Sequence, residues 1–379
     1  MSARGFPLRR FWAVVAKEFI QMRRDRMTFG MMVGIPLLQL TLFGFAINSD
    51  PKHLPTAILS ADHSMFSRTL VAAMRNSEYF RVVGEAASEA EVEAMLNRGD
   101  VQFVVHIPED FSRKLLRGER PTLLVQADAT DPAATGPAIA ALNQLTGQAL
   151  ERDLKGPLQR LRDQNGPVEL MVHRRYNEEG ITQYNIVPGL MGVVLTMTMV
   201  IITALAITRE RERGTMENLL ATPTRPTEVM IGKIVPYIVV GYVQTLLILI
   251  AAHVLFHVPM LGSIPLLLGL MLVFIAANLA VGITFSTIAR NQLQAMQMSF
   301  FFFLPSILLS GFMFPFRGMP DWAQHLGSML PLTHFLRLVR GILLKGNGLA
   351  DTLPHVWPIT LFLVIVMAIG IKRYRQTLD

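Results

Sequence analysis

The chain has 379 residues, 51% apolar and only 17% charged, whereas an ordinary soluble domain carries about a quarter charged residues. It has a net charge of +7 and no cysteine, which excludes disulfides, zinc–thiolate sites and a cysteine nucleophile. The basic excess flanks apolar stretches, where membrane topology requires it. No aromatic–basic motif accompanies it, so nucleic acid is not an expected partner.

At the start of the chain, Leu8, Phe11, Trp12, Val15, Phe19 and Met22 recur on one helical face. Arg10, Lys17, Gln21 and Arg24 lie away from it. This pattern predicts an amphipathic helix within residues 1–27, lying in the headgroup interface on the cytoplasmic side. Packing of the same helix on another protein domain is a compatible reading. Apolar stretches of about the 20 residues needed to cross hydrocarbon then occur at Thr28–Ile47, Ile186–Thr208, Ile234–Phe256, Ile264–Ile288, Met298–Phe314 and Val356–Ile371. The first has no small-residue cleavage site and reads as a retained span over 28–48, not a signal peptide.

Residues 49–185 have soluble composition. Strand-like runs at Thr56–Leu59, Phe80–Val83, Val101–Ile107, Thr122–Gln126 and Val168–His173 alternate with helical periodicity at Met65–Arg75, Glu89–Asn97, Glu109–Arg117 and around Ala138–Arg162. The expected fold class is a polytopic α-helical membrane protein with six transmembrane helices and an inserted extracytoplasmic α/β domain. The order of strands in its sheet is not recoverable from the pattern.

Lysine and arginine near the span ends set the orientation. They are dense before the first span, between the second and third (Arg209, Arg211, Arg213, Arg225, Lys233) and after the sixth (Lys372, Arg373, Arg375), and missing from 257–263. Both termini are therefore expected in the cytoplasm, with 372–379 a short tail and 49–185 outside. Arg174 and Arg175 run against the bias, which long translocated domains escape. The segment 315–355 is also expected outside. It is apolar and punctuated by Pro315, Pro320 and Pro331, which predicts short re-entrant helices, tolerated only where protein buries them.

The six expected spans contain no Asp, Glu, Lys or Arg, which disfavours an ion-coupled carrier. Gly232-Lys233 precedes Ile234 without the upstream glycine of a phosphate-cradling loop, so any ATPase belongs to another subunit. His253 and His257 have the spacing of a zinc protease, but Val254 stands where its glutamate would be; neither a metal nor a catalytic residue is expected. Gln39, Gln244 and Asn278 are amides within spans. They either line a translocation path or hydrogen-bond between helices.

Between the second and third spans, Arg209, Glu210, Arg211, Glu212 and Arg213 alternate in sign, and Gly214-Thr215 breaks the run. A short helix Met216–Leu220, carrying Glu217, and a proline turn at Thr222–Glu228 follow. A sharply bounded helix held at the membrane is the kind of lever on which a docking ATPase pushes. The stretch from Arg209 through Gly232-Lys233 and Pro236-Tyr237 resembles the ABC-2 type permease family of ABC transporters. So does Leu309-Ser310-Gly311-Phe312-Met313-Phe314-Pro315 with Met319-Pro320 and Pro331-Leu332-Thr333-His334-Phe335. The similarity is closest to the bacterial multidrug-export subgroup with a large periplasmic domain between spans 1 and 2.

The resemblance implies that Arg209–Leu220, within a cytoplasmic loop 209–233, couples to an ATP-binding cassette subunit through Glu210, Glu212 and Glu217. It implies that Leu309–Phe335, including Leu309, Ser310, Gly311, Phe312, Pro315, Pro331 and Phe335, closes the path on the outside. It also implies a dimer with a second copy or a paralogue, a periplasmic adaptor, an outer-membrane channel and a place among the lipids of the bacterial inner membrane. The chain itself would bind no cofactor, ATP and Mg being held by the partner. Export of drugs or other amphipathic compounds is the leading expectation. Export of a lipid or glycan is an alternative, as is a non-transport scaffold.

Overall fold

The computed structural model describes residues 52–150, 153–154, 167–212 and 226–376. The expected entry helix, the first span with Gln39, and Arg213–Arg225 lie outside those residues. The first part alternates strands and helices: β1 (Leu54–Ser60), α1 (Met65–Asn76), β2 (Phe80–Glu85), α2 (Glu89–Arg98), β3 (Phe103–Ile107), α3 (Phe111–Leu116), β4 (Thr122–Asp128), α4 (Pro132–Ala149) and β5 (Glu169–Arg175). The strand order is β2-β1-β3-β4-β5. Every pairing is parallel except β3 with β4.

Side chains alternate across a strand, and the two faces bury different sets. Phe103, Val105 and Ile107 of β3 and Leu123, Val125 and Ala127 of β4 join Leu70, Phe111 and Leu142 in the main core. Ala57 and Val104 turn to the opposite face, where Val92 and Leu96 of α2 cover them. The same period sends Asp128, at the end of β4, to the face that carries α2.

Among the described residues, five helices are long and apolar enough to cross a membrane. They belong to α5 (Thr182–Glu212), α6 (Pro226–Val254), α7 (Ile264–Ile288), α8 (Gln292–Leu309) and, after a connecting segment, α11 (Leu349–Gln376). That connection, here the return segment, holds a 3-10 turn (Phe316–Gly318), α9 (Asp321–Ser328), α10 (Pro331–Arg340) and a π-helical turn (Gly341–Lys345). Helices α5, α7 and α10 share the bundle core through Met191, Leu195, Phe274, Leu332 and Phe335. Helix α6 turns Val243, Leu247 and Ile250 outward, and α11 does the same with Leu361, Val364 and Ile365.

Several boundaries differ from the apolar stretches. Helix α5 continues past Thr208 to Glu212, because Arg and Glu end the apolar run without ending the helix. Helix α8 begins earlier, at Gln292, where the Asn291 side chain accepts the Gln294 N–H at 2.8 Å. It stops at Leu309, five residues short of Phe314, because Gly311 turns the backbone at φ 85°. Helix α11 begins at Leu349, seven residues before Val356, and contains Pro354 and Pro358.

Candidate functional site

The return segment is seated on α5. Phe312 and Phe335 lie where Gly189 and Gly192 leave room: a Cβ would come within 2.6 Å of Phe312 at the first and 2.7 Å of Phe335 at the second. Phe335 is fully buried and stacks on Phe274 of α7, with ring centroids 4.0 Å apart and planes 13° apart. Leu309, Ser310, Gly311, Pro315 and Pro331 are buried, Leu309 in a separate cluster with Met319 and Ala323, and Phe312 is half-buried. Pro331 opens α10, where its missing N–H has no cost. The Thr333 hydroxyl donates to the Gly327 carbonyl at 2.6 Å, and His334 Nε2 lies 2.7 Å from the Ser328 carbonyl, joining α9 to α10. Of the sequence-predicted residues, Phe312 and Phe335 thus pack in the bundle core and Leu309 in the neighbouring cluster.

At its other side the return segment grips the sheet domain. Helix α2 is capped by Ser88, whose hydroxyl accepts the Glu91 N–H, and ends at Gly99 with φ 74°. Carbonyls at that end, where the helix dipole favours cations and donors, meet three side chains from the bundle. Lys345 Nζ donates to the Leu96 carbonyl at 2.9 Å, Asn347 Nδ2 to that of Asn97 at 3.1 Å, and Arg317 Nη2 to that of Gly99 at 2.8 Å. Lys345 also donates to Asp128 Oδ2 at 2.5 Å and sits 5.0 Å from the Tyr176 ring centroid. The Tyr176 hydroxyl donates to Asn97 Oδ1 at 2.6 Å. Burial, with Asp128 nearby, pushes the Tyr176 phenol up to about 12, so it stays a donor.

The far end of the bundle carries a second tie. Glu212, the last residue of α5, accepts the Gln292 backbone N–H at 2.8 Å and its side-chain amide at 2.5 Å. A carboxylate placed there faces the positive end of α8. The hydrogen bonds from Gln292 hold Glu212 below the usual carboxylate range. Arg209 Nε reaches Gln292 Oε1 at 3.5 Å. Glu210 and Arg211 lie in the last turn of α5; Arg213, Gly214, Thr215 and Glu217 lie outside the described residues. Of the span amides, Gln244 accepts the Thr198 hydroxyl at 2.9 Å between α6 and α5. Asn278 is fully buried and donates to its own helix at the Phe274 carbonyl, 2.9 Å away.

Helix α5 runs unbroken from the glycines beneath Phe312 and Phe335 to Glu212, which holds the start of α8, and α8 in turn ends at the Gly311 turn. Sequence reasoning missed Asp128, Arg317, Lys345, Asn347 and Gln292. One signal pointed to some of them: Arg317, Arg337, Arg340 and Lys345 crowd a segment read as external, where the Lys/Arg bias disfavours them.

A family model described as ABC-2 family transporter protein matches residues 26–372. The chain is 31% identical over 367 residues to "Probable multidrug ABC transporter permease YbhS" of Escherichia coli K12, covering 95% of this chain and 94% of that protein. It is 28% identical over 365 residues to YbhR of the same strain, with the same description, covering 96% and 97%. It is 32% identical over 340 residues to "Inner membrane transport permease YhhJ", also from that strain, covering 86% of each. With the match running from before the sheet domain to the end of the last apolar helix, the chain belongs to the ABC-2 family as a multi-pass membrane permease.

Proposed function

We propose that this permease is the membrane-spanning subunit of an ATP-driven exporter, working as a dimer in the bacterial inner membrane and driven by a separate ATP-binding subunit. In this reading Thr28–Ile47 supplies a sixth span, both termini are cytoplasmic, and the sheet domain lies outside, where an adaptor leading to an outer-membrane channel meets it. Drugs and other amphipathic compounds are the cargo, in keeping with the description that YbhS and YbhR carry. The observation that supports this most is the unbroken α5, seated under Phe312 and Phe335 at one end and tied through Glu212 to Gln292 at the other. The ATPase pushes the charged run from Arg209 onward, α5 and α8 move together, and the segment Leu309–Phe335 opens as an outer gate. Gln244 ties α6 to α5 through Thr198, while Asn278 bonds within its own helix; a role in lining the path belongs to the dimer.

The test replaces Glu210, Glu212 and Glu217 with Ala. Charge-assisted contacts contribute about 1.5–3 kcal/mol each, less where they stay wet, so ATPase pull-down or export-dependent drug resistance should fall while insertion is kept. Gln292→Ala separates the roles: it removes the side-chain half of the internal tie, keeps the backbone N–H to Glu212 and leaves the charge in place, so docking should persist while resistance falls. Unimpaired docking and resistance in the triple variant would make the run a solvated connector.

A further inference from the structure

Between the end of α2 and the return segment lies a cavity of about 150 Å3, where a single water needs roughly 10–15 Å3. Arg317, Arg337, Arg340 and Lys345 line it, with Asp128 in its wall. Arg98 also borders it but is paired with Asp100 at 2.9 Å. Both oxygens of Asp128 are engaged: Oδ1 accepts the Thr130 N–H at 3.1 Å and its hydroxyl at 2.7 Å, and Oδ2 accepts Lys345. Asp131 acts on Arg340 through space, as Asp128 does. Asp100 and Asp128 act in the same way on Arg317, so four lining cations face one carboxylate in the cavity wall, with Asp100 and Asp131 beyond it.

The guanidinium groups are unevenly satisfied. Arg317 holds the Gly99 carbonyl, and Arg337 lies 4.6 Å over the Phe316 ring. Arg340 makes only a long 3.5 Å contact from Nη1 to the Gly311 carbonyl. Its Nε and Nη2 are buried and have no hydrogen-bond partner. Those two atoms form the side-on fork with which a guanidinium grips two oxygens of one oxyanion. Leaving such donors buried and unmet is costly, and an anion in this cavity removes the cost.

We propose that this cavity is a binding site for a phosphate-class oxyanion, either free phosphate or the phosphate of a lipid headgroup, held by the fork of Arg340 together with Arg317 and Arg337. The site straddles the seam between the sheet domain and the return segment, so its occupant fastens the two together.

The test uses the purified full chain in an uncharged detergent, with thermal unfolding followed at constant ionic strength set by sodium chloride. Inorganic phosphate, dihexanoyl phosphatidylglycerol and dihexanoyl phosphatidylcholine are titrated separately. A saturable rise in Tm with phosphate and phosphatidylglycerol identifies a free-anion site. A rise with phosphatidylglycerol alone identifies a headgroup site. In either case Arg340→Gln should abolish the rise, and Arg317→Gln should weaken binding about tenfold or more, as expected for loss of one charged hydrogen bond. Asp128→Asn removes a competing carboxylate and frees Lys345, so it should tighten binding. If Arg340→Gln does not fold, Asp128→Asn decides, because damage does not produce tighter binding. No rise beyond that of chloride, an equal rise in Arg340→Gln, an equal rise with phosphatidylcholine, or weaker binding in Asp128→Asn overturns the proposal.

Discussion

Lys345 Nζ and Asp128 Oδ2, from residues 217 positions apart in sequence, meet at 2.5 Å with side chains only 8% and 10% exposed. A buried pair contributes little net stability when formed, but removing one partner leaves an uncompensated charge and costs about 3–5 kcal/mol. Lys345→Met should therefore lower the melting temperature and raise hydrogen exchange in the last turn of α2. Adding Asp128→Asn should recover part of the loss. Equal stability of the wild type and the single variant would show that the seam does not rely on this pair.

Two glycines in helices make opposite predictions. Alanine is favoured over glycine in a helix interior by about 1 kcal/mol, and at Gly147 nothing lies within 4 Å of the added carbon. Gly147→Ala should be neutral or stabilising. At Gly192 the same carbon would come within 2.7 Å of Phe335 and 2.8 Å of Leu332. Overpacking costs about 1–3 kcal/mol, so Gly192→Ala should destabilise the bundle, as read by thermal melts in detergent. A melt for Gly192→Ala at or above the wild-type temperature would mean that α10 moves aside freely.

Asp62 governs an acid response in the sheet domain. Its carboxylate accepts the backbone N–H groups of Ser64 at 2.7 Å and Ser112 at 2.8 Å, joining the entries of α1 and α3. Burial alone pushes its pKa up, but the hydrogen bonds from Ser112 and Ser64 outweigh it and hold it well below the usual carboxylate range. A group depressed in the folded state stabilises fully above its unfolded value, about 3.9, and loses that contribution as pH falls through the folded value. Asp62→Asn should cost about 1–2 kcal/mol at neutral pH, allowing for solvent screening. The gap should close in strong acid. A gap unchanged between neutral and strongly acid melts would contradict this origin.

The proposed orientation is open to direct mapping. Reporters fused after Asp128 or within Pro320–His334 should report the outer side, and fusions after Arg213 or at Asp379 the cytoplasm. A cytoplasmic signal from Asp128 would sink the six-span arrangement.

Local pattern carried the alternation of strands and helices between Leu54 and Arg175 and the apolar helices after it. The antiparallel pairing of β3 with β4 in a sheet otherwise parallel has no local signature, because it depends on where each crossover lands. The tail of α5 was hidden by its charges, which changed hydropathy but not helix propensity. The seam was the least legible part. Its partners are Leu96, Asn97, Gly99 and Asp128 on one side and Arg317, Lys345 and Asn347 on the other. Three of its acceptors are backbone carbonyls, whose availability no side-chain pattern announces. The basic residues within 315–355 were the visible trace of it.

The same spacing sets an order of events during synthesis. Every seam partner on the sheet side precedes residue 130, and every one on the bundle side follows residue 316. Segments that emerge first fold first, so β1 to β5 can complete their sheet while the ribosome is still making α6 to α8. Through that interval the end of α2 and the Asp128 carboxylate face water, waiting for lysine and arginine that have yet to be polymerised. A nascent chain stalled before Lys345 would therefore carry a finished sheet whose α2 end lacks its partners, and the last quarter of translation is what supplies them.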